Sequence, residues 1–264
     1  MSDSETTRTI NTGPREWDAE TYDEVSDPQF EWGVEVLERL ELSGDETVLD
    51  AGCGSGRVSA ELAKRLPRGR LIAVDGSAAM IDKARERLGD QVTYRVADLS
   101  ELEVEEPVDL IFSTATFHWI VDHDRLFRRL HAALRPGGRL VAQCGGQGNV
   151  AEYTRAIVAA AAQPRFGPHF EGMAPMWNFA APDETERRLQ RAGFTDVRCW
   201  LQPKPVTPAQ PLEFISTVTL GPHLAQLPED LRRPFAEAVL EEAGEPLTLD
   251  YVRLNIEARR ADVP

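Results

Sequence analysis

An α/β fold, a parallel sheet with helices on both faces, is predicted by three observations. Short apolar runs of strand length recur between residues 47 and 144. Helical stripes of apolar residues at three- and four-residue spacing separate them. Glycine and proline breaks close each unit, and such alternation joins neighbouring strands in parallel through helical crossovers.

The elements follow in order. Residues 1–14 are polar and expected to fray. From Trp17 to Leu42 a helical pattern carries Val34, Leu37 and Leu40 about a turn apart, and Leu42-Ser43-Gly44-Asp45 ends it. Residues 47–51 read as a buried strand, followed by Gly52-Cys53-Gly54-Ser55-Gly56. A helix then places Val58, Leu62 and Leu66 four apart and stops at Pro67 and Gly69. Residues 70–75 form the second strand. Ser77 is the expected N-cap of a helix with Met80, Ile81, Ala84 and Leu88 inward. Strands are expected over 91–98, 108–113 and 139–144. Between the last two runs a helix with Leu126, Phe127, Leu130 and Leu134, closed by an Arg135-Pro136-Gly137-Gly138 turn.

Beyond Gly145 the rhythm changes. An Ala-rich helix (156–162) leads into an aromatic stretch with Phe166, Phe170, Met173, Met176, Trp177 and Phe179. A helix over 184–191, a strand over 197–201, a helical insert over 208–243 kinked or split at Pro234, and a last strand over 247–258 complete the chain.

The net charge is −15, and arginine pairs such as Arg128–Arg129 and Arg259–Arg260 are scattered. Nucleic acid and anionic membrane need clustered cations, so neither is an expected partner. No run is long and apolar enough to span a bilayer, and the first 20 residues lack the apolar core of a secretion signal. Cys53, Cys144 and Cys199 are far apart in the sequence, and the histidines follow no metal spacing, so no metal is assigned. The cytoplasm is the expected compartment.

The glycine turn after the first strand carries the functional argument. Such a turn aims backbone N–H groups and a helix N-terminus at a ligand. A dinucleotide site needs a third glycine at position 57, which is Arg57. No phosphate loop of the G-x-x-x-x-G-K-[ST] type occurs either. The pattern is Asp50-x-Gly52-x-Gly54-x-Gly56, with Asp75 ending the second strand 19 residues after Gly56 and Asp98 following the third. Each aspartate also has a plain local role, as a turn or capping residue.

With these motifs the sequence resembles the S-adenosylmethionine-dependent methyltransferases, strongly over residues 17 to about 145. The resemblance implies a doubly wound, Rossmann-like, seven-stranded sheet, mostly parallel with the last strand antiparallel. It implies one domain over 1–264: a cofactor core (15–145), lid or cap inserts (146–185 and 208–243) and final strands (194–202 and 247–258). It implies a cofactor site of Asp50, Gly52, Gly54 and Gly56, with Asp75, Gly76 and Ser77 at the ribose and Ala97, Asp98 and Leu99 near the adenine. Thr114 joins this set. Met80 touches the adenine or ribose by resemblance, or is core by its helix position.

The closer likeness is to small-molecule carboxyl methyltransferases of the trans-aconitate type. Trp17-Asp18-Ala19-Glu20-Thr21-Tyr22 matches an opening Trp-Asp-x-x-x-Tyr segment, so Trp17 and Tyr22 are cofactor candidates. Gln29 lies where related enzymes bring a polar side chain to the transfer centre. Ser113-Thr114-Ala115-Thr116-Phe117-His118-Trp119 matches the loop after strand four. The implied catalytic residues are His118, as a hydrogen-bond donor to the acceptor or as a base, and Trp119, packed on substrate or sulfonium. Arg155, Arg165 and His169 are candidates for holding a carboxylate. The expected partner is a small-molecule acceptor, in a monomer or homodimer. An acceptor with another O, N or C atom, and a non-catalytic cofactor-binding module, remain alternatives.

Overall fold

The computed structural model describes residues 27–173 and 176–262. Among them seven strands form one sheet: β1 (Thr47–Ala51), β2 (Arg70–Asp75), β3 (Thr93–Val96), β4 (Val108–Thr114), β5 (Leu134–Gly145), β6 (Phe194–Pro203) and β7 (Val252–Arg260). Their spatial order is β3-β2-β1-β4-β5-β7-β6. β7 runs antiparallel between β5 and β6, and the other pairings are parallel. The order reverses at β1 and β4, so a crevice opens at their carboxyl ends.

Strand alternation builds the core on two faces. Leu49, Ile111 and Ala142 face one side, where α4 (His123–Ala133) and α7 (Pro182–Arg191) pack with Leu126, Leu130 and Leu189. Val48, Leu110, Phe112 and Val141 face the other. There α1 (Asp27–Leu37), α2 (Arg57–Ala63) and α3 (Ala78–Leu88) cover them. A third apolar cluster joins Trp32 and Tyr251 to α5 (Ala151–Ala161), α6 (Gly167–Phe170), α8 (Pro211–Phe214), α9 (Gly221–Gln226) and α10 (Glu229–Ala243).

Several elements differ from the sequence reading. The expected helix 17–42 ends at Leu37, and its part before Asp27, with Trp17 and Tyr22, lies outside the described residues. β3 is shorter than 91–98. Arg135–Gly138 is not a turn before β5 but a bow inside it: Leu134 pairs with Val108, and pairing resumes at Arg139 with Leu110. Arg135 pairs with Asp109 at 2.5 Å across the bow. A Cβ at Gly138 would sit 2.8 Å from the Arg135 carbonyl, so glycine is required for closure.

The insert 208–243 is not one helix kinked at Pro234. It breaks at Leu227-Pro228, and a π-helical stretch, Ile215–Thr219, joins α8 to the start of α9. α10 runs through Pro234, and the carbonyl that loses its helical partner belongs to Asp230, which is exposed to solvent. The last strand starts at Val252 rather than 247, and β6 extends over 194–203 rather than 197–201.

Candidate active site

The glycine turn is built by close approach. Gly52 and Cys53 donate N–H bonds to the Val74 carbonyl at 2.8 and 3.0 Å, which folds the turn over β2. Gly52 has φ +87°, and a Cβ there would lie 2.1 Å from Thr116 Oγ1. The Thr116 hydroxyl lies 2.9 Å from the Thr114 carbonyl and 3.2 Å from the Gly52 carbonyl, so its donor sits between the loop after β4 and the turn. Gly56, at φ +81°, begins α2 with a Cβ position 3.1 Å from Ala84 of α3. Gly54 differs: its Cβ position has nothing within 4 Å. Two glycines serve packing, and Gly54 faces open space.

Asp75 ends β2 with both oxygens oriented. One accepts from Gly54 N–H and the other from Ser77 N–H, each at 2.9 Å. Ser77 caps α3 as expected, its Oγ accepting from Met80 N–H at 3.3 Å. Met80 is buried. Gly76 is half-buried beside them. Asp98 accepts from Ser100 N–H at 2.8 Å, and Ala97 donates its N–H to the Asp75 carbonyl at 2.9 Å. The Leu99 side chain packs in the core.

Asp50 is only 2% exposed, beneath the turn, and accepts from Ser59 Oγ at 2.7 Å. Burial pushes its carboxyl up to about 7, against the Ser59 bond and aided by the Asp75 charge. Its side chain ties β1 to the first turn of α2, so its action on the turn is one of positioning.

A cavity lies beyond the carboxyl ends of β4 and β5. The loop after β4 contributes Ala115, His118 and Trp119, and α1 contributes Gln29. The segments after β5 add Asn149, Val150, Trp177, Phe179, Val218 and Thr219. β7 adds Arg253, and Tyr251 joins from just before the strand. Gln29 is held at the rim because Arg57 pairs with Asp27 at 2.7 Å, and Gly33 lets α1 approach Val58. Its Oε1 is buried with no hydrogen-bond partner among the described residues. Thr114 lies just behind this rim, its hydroxyl 3.5 Å from the Cβ position of Gly33.

His118 is 8% exposed. Its Nδ1 accepts from Gly145 N–H at 3.3 Å, so the ring proton of the neutral form sits on Nε2. Burial, then the Arg253 charge, then His123 hold its pKa well below the ordinary histidine value. The ring stacks on Phe179 at 5.8 Å, and Phe179 stacks on Trp177 at 5.5 Å. At neutral pH His118 is therefore an uncharged N–H donor.

Arg253 is the residue the sequence reading missed. It is 3% exposed, pairs across the sheet with Gly145, and lies over the rings of Trp32 and Tyr251 at 5.0 and 5.9 Å. An arginine set between Val252 and Leu254, two residues after Tyr251, was the available signal. The three residues nominated instead do not line the cavity. Arg155 is exposed and paired with Glu152, Arg165 is exposed over Phe166, and His169 sits on α6.

The structure thus sorts the sequence-predicted residues into two neighbouring groups. The ends of β1, β2 and β3 carry the glycine turn, Asp75 and Asp98. The cavity collects Gln29, His118 and Trp119. Among the described residues no group of three or more His, Cys, Asp or Glu is arranged for a metal, and no helix is long and apolar enough to cross a membrane. The first group fits S-adenosylmethionine. The space over Gly54 is open, Asp75 offers carboxylate lone pairs at a strand end, and no cation is needed because the molecule has no phosphate.

Comparison with known proteins agrees. Residues 48–138 match the family model described as "Methyltransferase domain". The chain is 30% identical over 258 residues to a trans-aconitate 2-methyltransferase of Methylobacterium nodulans, covering 93% of this chain and 98% of that one. It is 40% identical over 127 residues to the Azoarcus enzyme of the same name, covering 48% of this chain and about half (50%) of the relative's length. Among solved structures, the fold is shared with a Haemonchus contortus phosphoethanolamine N-methyltransferase 2 bound to S-adenosylhomocysteine. That match has a TM-score of 0.61, 20% identity, and covers 92% of this chain and 57% of that one. The conjunction of fold, glycine turn and full-length likeness makes the chain a member of the S-adenosylmethionine-dependent methyltransferases, in the trans-aconitate 2-methyltransferase family.

Proposed function

We propose that this enzyme transfers the methyl group of S-adenosylmethionine to a carboxylate oxygen of a small organic acid. The observation that carries the reading is Arg253, a guanidinium buried in the cavity beside an uncharged His118. The planar fork of a guanidinium matches a carboxylate with two parallel hydrogen bonds. S-adenosylmethionine brings a methyl already activated by its sulfonium.

The protein's work is then binding and alignment, which can lower a barrier by about 7–11 kcal/mol. In this reading Asp75 accepts the ribose hydroxyls, and the backbone of Gly52–Gly56 runs along the methionine end. Asp98 lies near the adenine. Gln29 stands between the two halves, and Trp119 packs against the reacting groups. Arg253 and the Nε2–H of His118 hold the acceptor. A carboxylate is ionised at neutral pH and needs no base, which suits a histidine whose pKa is depressed. The cytoplasm, and a monomer or homodimer, complete the proposal. The three free cysteines are consistent with a reducing compartment.

The test is methyl transfer from labelled S-adenosylmethionine to a panel of carboxylic, phenolic and amine acceptors. Label in a carboxylic acid, released as methanol by mild alkali, is the expected result. Label confined to alkali-stable ethers or amines contradicts the reading.

A further inference from the structure

The loop after β4 and the aromatic wall of the cavity meet at Asn178. Phe117–Trp119 is a single 3₁₀ turn, closed by Trp119 N–H on the Thr116 carbonyl at 2.9 Å and Ile120 N–H on the Phe117 carbonyl at 3.0 Å. A turn this short leaves carbonyls to outside partners. On the core side His123 Nε2 donates to the Phe117 carbonyl at 2.9 Å. On the cavity side Asn178 supplies two donors. Its backbone N–H reaches the His118 carbonyl and its side-chain Nδ2 the Val121 carbonyl, each at 2.9 Å.

Asn178 stands between two rings of the wall. Residues 176–181 form neither helix nor strand, so no ladder fixes their register. Phe179 stacks on His118 at 5.8 Å, and Trp177 meets Trp119 at 6.0 Å. Gly145 leaves room for this approach: a Cβ there would lie 2.7 Å from the Phe179 ring. Among the described residues, the charged or titratable groups that act on His118 are Arg253 from β7 and His123 from α4.

We infer that Asn178 is a positioning residue for methyl transfer: its two bonds clasp the Trp177–Phe179 wall to the loop after β4 and so set the shape and dryness of the acceptor side around His118. This rests on the acceptor's place in the cavity, and holds whether or not the acceptor is a carboxylate. The bond to Val121 is exposed, so its loss is expected to cost little stability.

The test compares the full chain with Asn178→Ala and with Asn178→Asp, which keeps the size but offers Val121 no donor. Calorimetry is expected to give S-adenosylmethionine dissociation constants within about threefold of the parent, as for a folded donor half. In NMR spectra the His118 ring signal is expected to stay fixed from about pH 6 to 8 in the parent and to move with pH in both variants, as water reaches the ring. With labelled S-adenosylmethionine and trans-aconitate, or the panel member that takes more label, both variants are expected to raise acceptor KM about fivefold or more with kcat changed less than about twofold. A fixed His118 signal in the variants overturns the inference, and so does an acceptor KM at the parent's value. If no panel member takes label, the carboxylate reading fails by itself, and the clasp stands or falls on the His118 signal.

Discussion

At the scale of single residues, two titratable groups are held away from their ordinary states, with opposite consequences. His118 is kept neutral by burial and by Arg253, and its accepting Nδ1 leaves the proton on Nε2. A donor of this kind gives no limb near neutral pH. The kcat/KM profile should be flat from about pH 6.5 to 8.5, and His118→Ala should raise acceptor KM roughly tenfold with a smaller effect on kcat. A limb titrating near 7 that vanishes in the variant would make His118 a base instead. Asp50 has the opposite sense. Its folded pKa, about 7, lies above the unfolded value near 3.8. Between those values the unfolded chain has lost a proton that the folded chain keeps, so stability falls as pH rises from about 4 to 7. Asp50→Asn keeps an acceptor for Ser59 and removes that slope, and should be more stable than the parent above pH 7 by a few kcal/mol, roughly. Denaturant melts at pH 4.5 and 7.5 check this; equal differences at both pH values would contradict it.

At the scale of elements, the glycine turn separates stability from binding. Gly52→Ala forces a Cβ onto Thr116 in a left-handed backbone and should cost about 1–3 kcal/mol of stability. Gly54→Val adds its side chain to open space, so its stability cost is mainly the αL strain, about 1–2 kcal/mol, while S-adenosylmethionine binding should be lost. Thermal melts with calorimetry separate the two. Binding by Gly54→Val at the parent's affinity would make that space structural only. The same turn shows what a sequence discloses. Asp50, the glycines, Asp75 and the Ser77 cap were legible because their spacing is local and repeats at successive strand ends. The bow at Arg135–Gly138 was not, because it depends on the pairing partners Val108 and Leu110. The fate of Pro234 was not, because the exposure of Asp230, whose carbonyl loses its partner, is set by the fold. Arg253 was not, because only the antiparallel insertion of β7 beside β5 brings it opposite Gly145 and near His118.

At the scale of the molecule, strand order does the assembling. The reversal at β1 and β4 puts a glycine-lined half at the ends of β1 to β3 and an aromatic half that carries Arg253 beyond β4, β5 and β7. The inserts after β5 pack in the third apolar cluster and supply half of the described residues that line the cavity. The Thr116 hydroxyl sits between the halves, near the Gly52 carbonyl, and Gln29 reaches the cavity from α1. In the proposed function the methyl donor occupies the first half and the acid the second. Calorimetric titration of S-adenosylmethionine into the parent, Asp75→Ala and Arg253→Met proteins tests that division most directly. The predicted result is a dissociation constant raised about tenfold or more by Asp75→Ala, from the loss of a charge-assisted hydrogen bond, and changed less than about threefold by Arg253→Met. An unchanged constant for Asp75→Ala, or a larger loss from Arg253→Met, would contradict it.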